Sequence, residues 1–184
     1  MHPRQPLPRL WMMTDERQGD SLWGALDRLP PGAGVVFRHY SLGGTARRRL
    51  FDDIAAVARR RALLLMLGGE PGLAAEWGAD GSHGICGARP SAPGLLRSAA
   101  VHDLEELSAA EGAGADLVFV SPVFATRSHP GAAALGPEGF QLIAAQARVP
   151  VIALGGMDPA KARTLDGVNM YGWAAIDAWG PGAG

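Results

Sequence analysis

The chain has 184 residues, of which 47% are hydrophobic and 19% charged, and its formal net charge is -1. This is one domain's worth of ordinary globular protein, able to bury a substantial core and lacking the long-range field that recruits nucleic acid or an anionic membrane. No run of about 18 apolar residues occurs, and the lone Cys86 excludes an internal disulfide or a Cys-clustered metal site, which leaves small-molecule chemistry in the cytoplasm as the expectation.

Taken in order, the Pro-rich opening through Arg9 has no apolar stretch after it and reads as a short arm before the first strand. Short apolar runs then alternate with helical patterns, the mark of successive βα units. Strands are predicted at Leu10–Thr14, Gly34–Arg38, Leu63–Leu67, Gly81–Ile85, Ala99–His102, Leu117–Ser121, Val149–Leu154 and Gly167–Tyr171. Pro150 fits at the first positions of the seventh strand, where no ladder donor is lost. The clearest helix runs from Thr45 to Ala62: Leu50, Ile54, Val57 and Ala58 make its apolar face, and Arg47, Arg48, Arg59 and Arg60 a solvated one. Asp103 and Asp158 are N-cap candidates for two later helices. The fourth and eighth helices look short or missing. Eight strands of this kind predict a single small (β/α)8 TIM barrel with parallel inner strands over residues 1–180, followed by a flexible tail at 181–184.

In such a barrel chemistry sits at the C-terminal ends of the strands. His39, His83, His102 and His129 fall near those ends, with Asp15, Arg38, Tyr40, Asp103 and Thr126 in the same register. Each histidine could equally satisfy a backbone group in a polar loop, so the cluster carries more weight than any member. Cys86 is expected to pack, without an evident base beside it. Lys161, the only lysine in the chain, reads as part of an exposed helix start, which argues against Schiff-base chemistry. No built-in metal site is expected, because the third and fourth strands end without carboxylates. Anion binding has a more specific basis. The loops Leu154-Gly155-Gly156-Met157 and Tyr171-Gly172-Trp173-Ala174 are read as following strands seven and eight, where backbone N–H groups can hold a phosphate, although paired glycines also arise from tight turns. Arg38, Thr126, Ser128 and His129 are candidate further donors.

Several segments are recognisable together. They are Trp11-Met12-Met13-Thr14-Asp15, Gly78-Ala79-Asp80-Gly81-Ser82-His83, Val101-His102-Asp103-Leu104-Glu105-Glu106-Leu107, Gly114-Ala115-Asp116, Ser121-Pro122-Val123-Phe124-Ala125-Thr126 and Pro150-Val151-Ile152-Ala153-Leu154-Gly155-Gly156-Met157. In this order and spacing the chain resembles the thiamine phosphate synthase/TenI family over nearly its whole length. The resemblance implies a barrel whose synthase members join a hydroxymethylpyrimidine pyrophosphate to a thiazole phosphate with Mg²⁺ help and release pyrophosphate. TenI-type members include a thiazole tautomerase.

The family's usual residues are partly replaced. Its second-strand Gln-x-Arg-x-Lys is Val36-Phe37-Arg38-His39-Tyr40, which keeps the Arg alone. Its Asn-Asp after strand three is Gly68-Gly69, and its Gln-x-Asp is Cys86-Gly87-Ala88, so both Mg²⁺-binding carboxylates are absent. Thr-x-Thr-Lys becomes Thr126-Arg127-Ser128-His129, the Ser before the Ala/Val-His pair is Ala100, and the TenI histidine of Gly-His-Val-Phe is Pro122.

The resulting expectation is a thiamine-biosynthesis protein that takes a phosphorylated thiazole or pyrimidine ligand. Arg38, His83, His102 and His129 are its candidate catalytic residues, and Thr126, Ser128, Gly155, Gly156, Gly172, Trp173 and Ala174 its phosphate-binding set. Mg²⁺ is expected only as cargo of a pyrophosphate substrate. A homodimer is the protein assembly considered. The alternatives are a TenI-like tautomerase, with His102 or His83 moving the proton, and a non-catalytic thiamine or thiazole phosphate-binding barrel. A metal-free phosphosugar isomerase on the same fold stands further off.

Overall fold

The computed structural model describes residues 6–84, 94–126 and 133–179. Runs of branched and aromatic residues bounded by Gly, Asp and Pro form eight strands: β1 (Leu10–Met13), β2 (Gly34–Phe37), β3 (Leu64–Gly68), β4 (Gly81–His83), β5 (Leu96–Val101), β6 (Leu117–Val120), β7 (Val151–Ala153) and β8 (Gly172–Ala175). All pair in parallel, in chain order, and β8 returns to β1 through Leu10–Trp173 and Trp11–Ala174, so the sheet closes into a barrel.

Alternation along each strand divides the core into layers. Trp11, Met13, Val36, Met66, Leu117, Phe119, Ile152 and Ala174 fill the barrel interior. Their neighbours Met12, Val35, Phe37 and Leu65 on one side, and Val118, Val120, Val151, Ala153 and Trp173 on the other, face the helices. Trp11 packs edge-on to Phe119 at 5.4 Å. Its indole also explains Gly34, since a Cβ there would lie 2.2 Å from the Trp11 ring.

Among the described residues six α-helices wrap the sheet: α1 (Ser21–Arg28), α2 (Gly44–Arg61), α3 (Pro71–Trp77), α4 (Leu104–Gly112), α5 (Gly136–Ala144) and α6 (Pro159–Thr164). The predicted N-caps are present. Asp103 accepts from Glu106 N and Asp158 from Lys161 N, each at 2.8 Å. Residues 85–93, in the β4–β5 connection where the fourth helix was expected to be short or missing, lie outside the described residues, and residues 176–179 after β8 are bends and turns. The proposed tail at 181–184 lies outside the described residues. None of the described helices is long and apolar enough to cross a membrane.

Two sequence expectations are corrected. The eighth strand is Gly172–Ala175, not Gly167–Tyr171. Val168 and Met170 do pack against the outer core, which gives the earlier segment its apolar look, yet residues 165–169 are turns and bends. Only Gly172 can sit where β8 starts against β1, because a Cβ would come 2.1 Å from Arg9 O. Arg47, read as part of a solvated face, instead lies over the barrel rim. Its Nη2 donates to Arg38 O at 2.8 Å and to Gly68 O at 2.6 Å, and its guanidinium is 5.4 Å from the Phe37 ring centroid. Arg48 keeps the surface role, paired with Asp52 one turn on.

Candidate functional site

A cavity of about 350 Å³ opens at the C-terminal ends of β6, β7 and β8, where barrel chemistry is found. Its wall is built from the turn after β6 (Ser121, Pro122, Ala125, Thr126), the turn after β7 (Leu154 to Asp158), Lys161 of α6, and the residues after β8 (Ile176, Asp177, Ala178), with Arg38 reaching in from β2.

The turn after β7 is the tightest part. Gly155 and Gly156 have φ of 94° and 63°, and a Cβ on them would lie 2.7 Å from Pro122 Cα and 2.5 Å from Ala125 O. The two turns can therefore approach only with glycine at both positions. Phe124 N donates to Gly155 O at 3.0 Å, and Lys161 Nζ to Gly156 O at 2.6 Å. The carbonyls are thus taken, while no acceptor for the N–H of Gly155 or Gly156 is found among the described residues. Paired N–H groups beside a void suit an anionic oxygen.

Arg38, just after β2, is held by the end of the neighbouring strand β1. Its Nε donates to Thr14 O at 2.8 Å and its Nη2 to Asp15 Oδ2 at 2.9 Å. Asp15 also receives Arg17, and those hydrogen bonds and charges hold its carboxyl below the ordinary value. Gln18 Nε2 donates to Ile176 O at 3.1 Å, tying the loop after β1 to the cavity's β8 side.

None of the described candidate histidines, His39, His83 and His102, lines the cavity. His83 ends β4 with its side chain inside the barrel, its Nδ1 2.9 Å from Ser98 Oγ and its ring edge-on to Phe119. Burial, then the nearby charge of Arg38, pushes its pKa down to about 4, so the ring is neutral near pH 7. His39 is buried, stacked on Phe37 and 3.0 Å from Thr14 Oγ1 through Nδ1, and burial lowers its pKa as well. His102 is exposed and not part of the cavity lining, with its Nδ1 2.7 Å from Glu106 Oε2. Ser128 and His129 lie outside the described residues, as does Cys86.

Of the predicted phosphate set, Thr126, Gly155 and Gly156 line the cavity together with Arg38. Gly172, Trp173 and Ala174 do not. They are β8 itself, buried, with Trp173 N donating to Arg9 O at 2.9 Å and the Trp173 ring stacked on Trp179. The loop they were taken for is Ile176-Asp177-Ala178, displaced because the eighth strand lies four to five residues later than its apolar pattern placed it. Sequence reasoning also missed Lys161, Asp158 and Ser121 as cavity residues. Lys161 is half-exposed, but its ammonium is turned inward onto Gly156 O and lies 5.5 Å from the Phe124 ring centroid. Its place three residues after the capping Asp158 is the one signal that pointed there.

The donors present do not fit a resident Mg²⁺. β3 ends on Gly68 and Gly69 with no side chain to offer, and the space a Gly68 Cβ would enter is taken by the Tyr40 hydroxyl, 2.5 Å away. Asp15, the carboxylate beside Arg38, already accepts from two guanidinium groups. Among the described residues no three metal-ligating side chains gather.

Comparison with known proteins finds a family model described as "Thiamine monophosphate synthase" that matches residues 13–179. A putative thiamine-phosphate synthase 2 from Aquifex aeolicus is 29% identical over 179 residues, covering 92% of this chain and 96% of that protein. A thiamine-phosphate synthase from Chlorobium luteolum is 30% identical, covering 93% of this chain and 84% of that one. Among solved structures, a thiamine phosphate pyrophosphorylase from Pyrococcus furiosus superposes with a TM-score of 0.79 at 26% identity, covering 96% and 89% of the two chains.

Proposed function

This chain belongs to the thiamine monophosphate synthase family, and from that premise we propose that it is a thiamine-biosynthesis transferase. It joins a hydroxymethylpyrimidine pyrophosphate to a thiazole phosphate and releases pyrophosphate. The carrying observation is the cavity over the Gly155-Gly156 turn, whose amides and flanking Thr126 and Arg38 match what a phosphoryl oxygen accepts from. In this reading the turn after β7 holds the thiazole phosphate, and Arg38, fixed by Thr14 and Asp15, presents its remaining edge to the second anion. Fixed dipoles and charges of this kind help where negative charge develops on the departing pyrophosphate. Mg²⁺, in this proposal, enters as the counter-ion of the pyrophosphate substrate, since the residues at the strand ends offer it no cage.

The test is direct. The folded protein is given both precursors and Mg²⁺, and formation of thiamine phosphate above an enzyme-free control is the expected result. No product from protein whose fold is confirmed by circular dichroism sinks the transferase reading.

The absence of carboxylates at Gly68-Gly69 favours one second reading, a barrel that binds thiamine phosphate without making it. Ligands that bind only the folded state raise its melting temperature by mass action. A thermal shift with thiamine phosphate and no turnover identifies that case.

A further inference from the structure

We infer that Lys161 is a ligand-contacting residue, the cation that makes this cavity hospitable to a phosphoryl group. The inference deepens the proposed function and rests on its premise that an anion occupies the cavity.

Among the described residues, four ionic side chains line the cavity: Arg38 and Lys161 with Asp158 and Asp177. Lys161 adds positive charge beside these carboxylates, which favours an anion there. Arg38 has less to offer, because two of its donor positions are fixed on Thr14 O and Asp15.

Lys161 is placed differently. Its Nζ lies 2.6 Å from Gly156 O and 3.3 Å from Asp158 Oδ2. An ammonium has three donors, so one remains for a ligand after those two contacts. The side chain is 41% exposed and its stem is flexible, so the group can move while Asp158 keeps capping α6 through Lys161 N. Gly156 also carries an N–H for which no acceptor is found among the described residues, which puts ammonium and amide on one residue, at its two adjoining peptide groups. An anion seated there meets a charge and a dipole together, and the cation can exchange Asp158 for the incoming oxygen.

A purely structural lysine is the competing account, a clamp across the start of α6. The sole lysine of the chain makes the two separable. Acetic anhydride modifies one ε-amine in this protein, and peptide mass spectrometry resolves it from the α-amine. Inorganic pyrophosphate at saturation is expected to slow Lys161 acetylation severalfold while leaving the α-amine rate unchanged. In calorimetric titrations of pyrophosphate and thiamine phosphate, Lys161→Gln is expected to weaken binding about tenfold, the loss of one charge-assisted hydrogen bond. Lys161→Arg, which keeps the charge, is expected to recover most of it. A clamp predicts neither protection nor charge dependence.

Thiamine phosphate bound equally well by wild type and Lys161→Gln overturns the role of Lys161 and leaves the proposed function standing. Pyrophosphate protecting Lys161 while thiamine phosphate fails to bind supports the lysine and removes the pathway assignment. Wild-type protein binding neither probe removes both.

Discussion

Arg47 Nη2 lies 2.6 Å from Gly68 O and 2.8 Å from Arg38 O, so one guanidinium on α2 joins the ends of β2 and β3. Arg47→Met keeps much of the stem but leaves two carbonyls without their donor. It is expected to cost about 1–3 kcal/mol in urea unfolding. Arg49→Met, on the exposed face of the same helix, should stay within about 0.5 kcal/mol. Equal effects would return Arg47 to the solvated face.

Gly156→Ala is expected to damage fold and ligand binding together. The new methyl would sit 2.5 Å from Ala125 O on a backbone with φ of 63°. The left-handed conformation alone costs about 1–2 kcal/mol, and the collision about 1–3 kcal/mol more. Gly32→Ala, with φ of 81° and nothing within 4 Å, isolates the backbone share. Thermal melts with and without thiamine phosphate read both quantities, and a Gly156→Ala protein with a wild-type ligand shift would show that the turn is not the binding element.

Acid should destabilise the protein through His83. Its pKa is 6.5 when solvated and falls to about 4 in the barrel, so the unfolded chain gains a proton first. Stability is therefore full above pH 6.5 and declines as pH falls toward 4, by about 3 kcal/mol across that window. Urea titrations at several pH values compare wild type with His83→Gln, whose slope should be shallower. The His83 ring resonance followed by NMR supplies the same answer without a variant, and a midpoint near 6.5 would refute the burial argument.

His102→Ala should change turnover by less than about twofold, because the ring is exposed, bonded to Glu106 and not part of the cavity lining. A general acid or base usually contributes about 10²- to 10⁴-fold. Arg38→Met, at the cavity, should lower turnover by at least about tenfold by the same scale for charge-assisted contacts. Steady-state rates with both precursors decide, and a large loss in His102→Ala would show that the loop after β5 closes over the ligand.

The barrel was readable because each strand of a parallel sheet is buried on both faces and so stands out as a short apolar run. Leu117 to Val120 is the plainest case. β8 was hidden for the opposite reason: Gly172 fits beside Arg9 O and Ala174 in the Trp11-filled interior because they are small, and small residues give little strand signal. The glycine turn after β7 was legible from two adjacent glycines at a strand end. Arg47 and Lys161 were not, since a long basic side chain on a helix looks the same whether its head meets water or a carbonyl across the rim. Spacing placed the histidines at strand ends but could not tell that His83 is buried in the barrel while His102 is exposed.

The pairing of β1 with β8 joins residues more than 160 positions apart in the chain, Leu10 with Trp173 among them. During synthesis β1 and the strand beside the growing end must wait as open edges until Gly172–Ala175 leaves the ribosome. For that interval the segment around Trp11 is an unsealed adhesive rim within reach of neighbouring nascent chains.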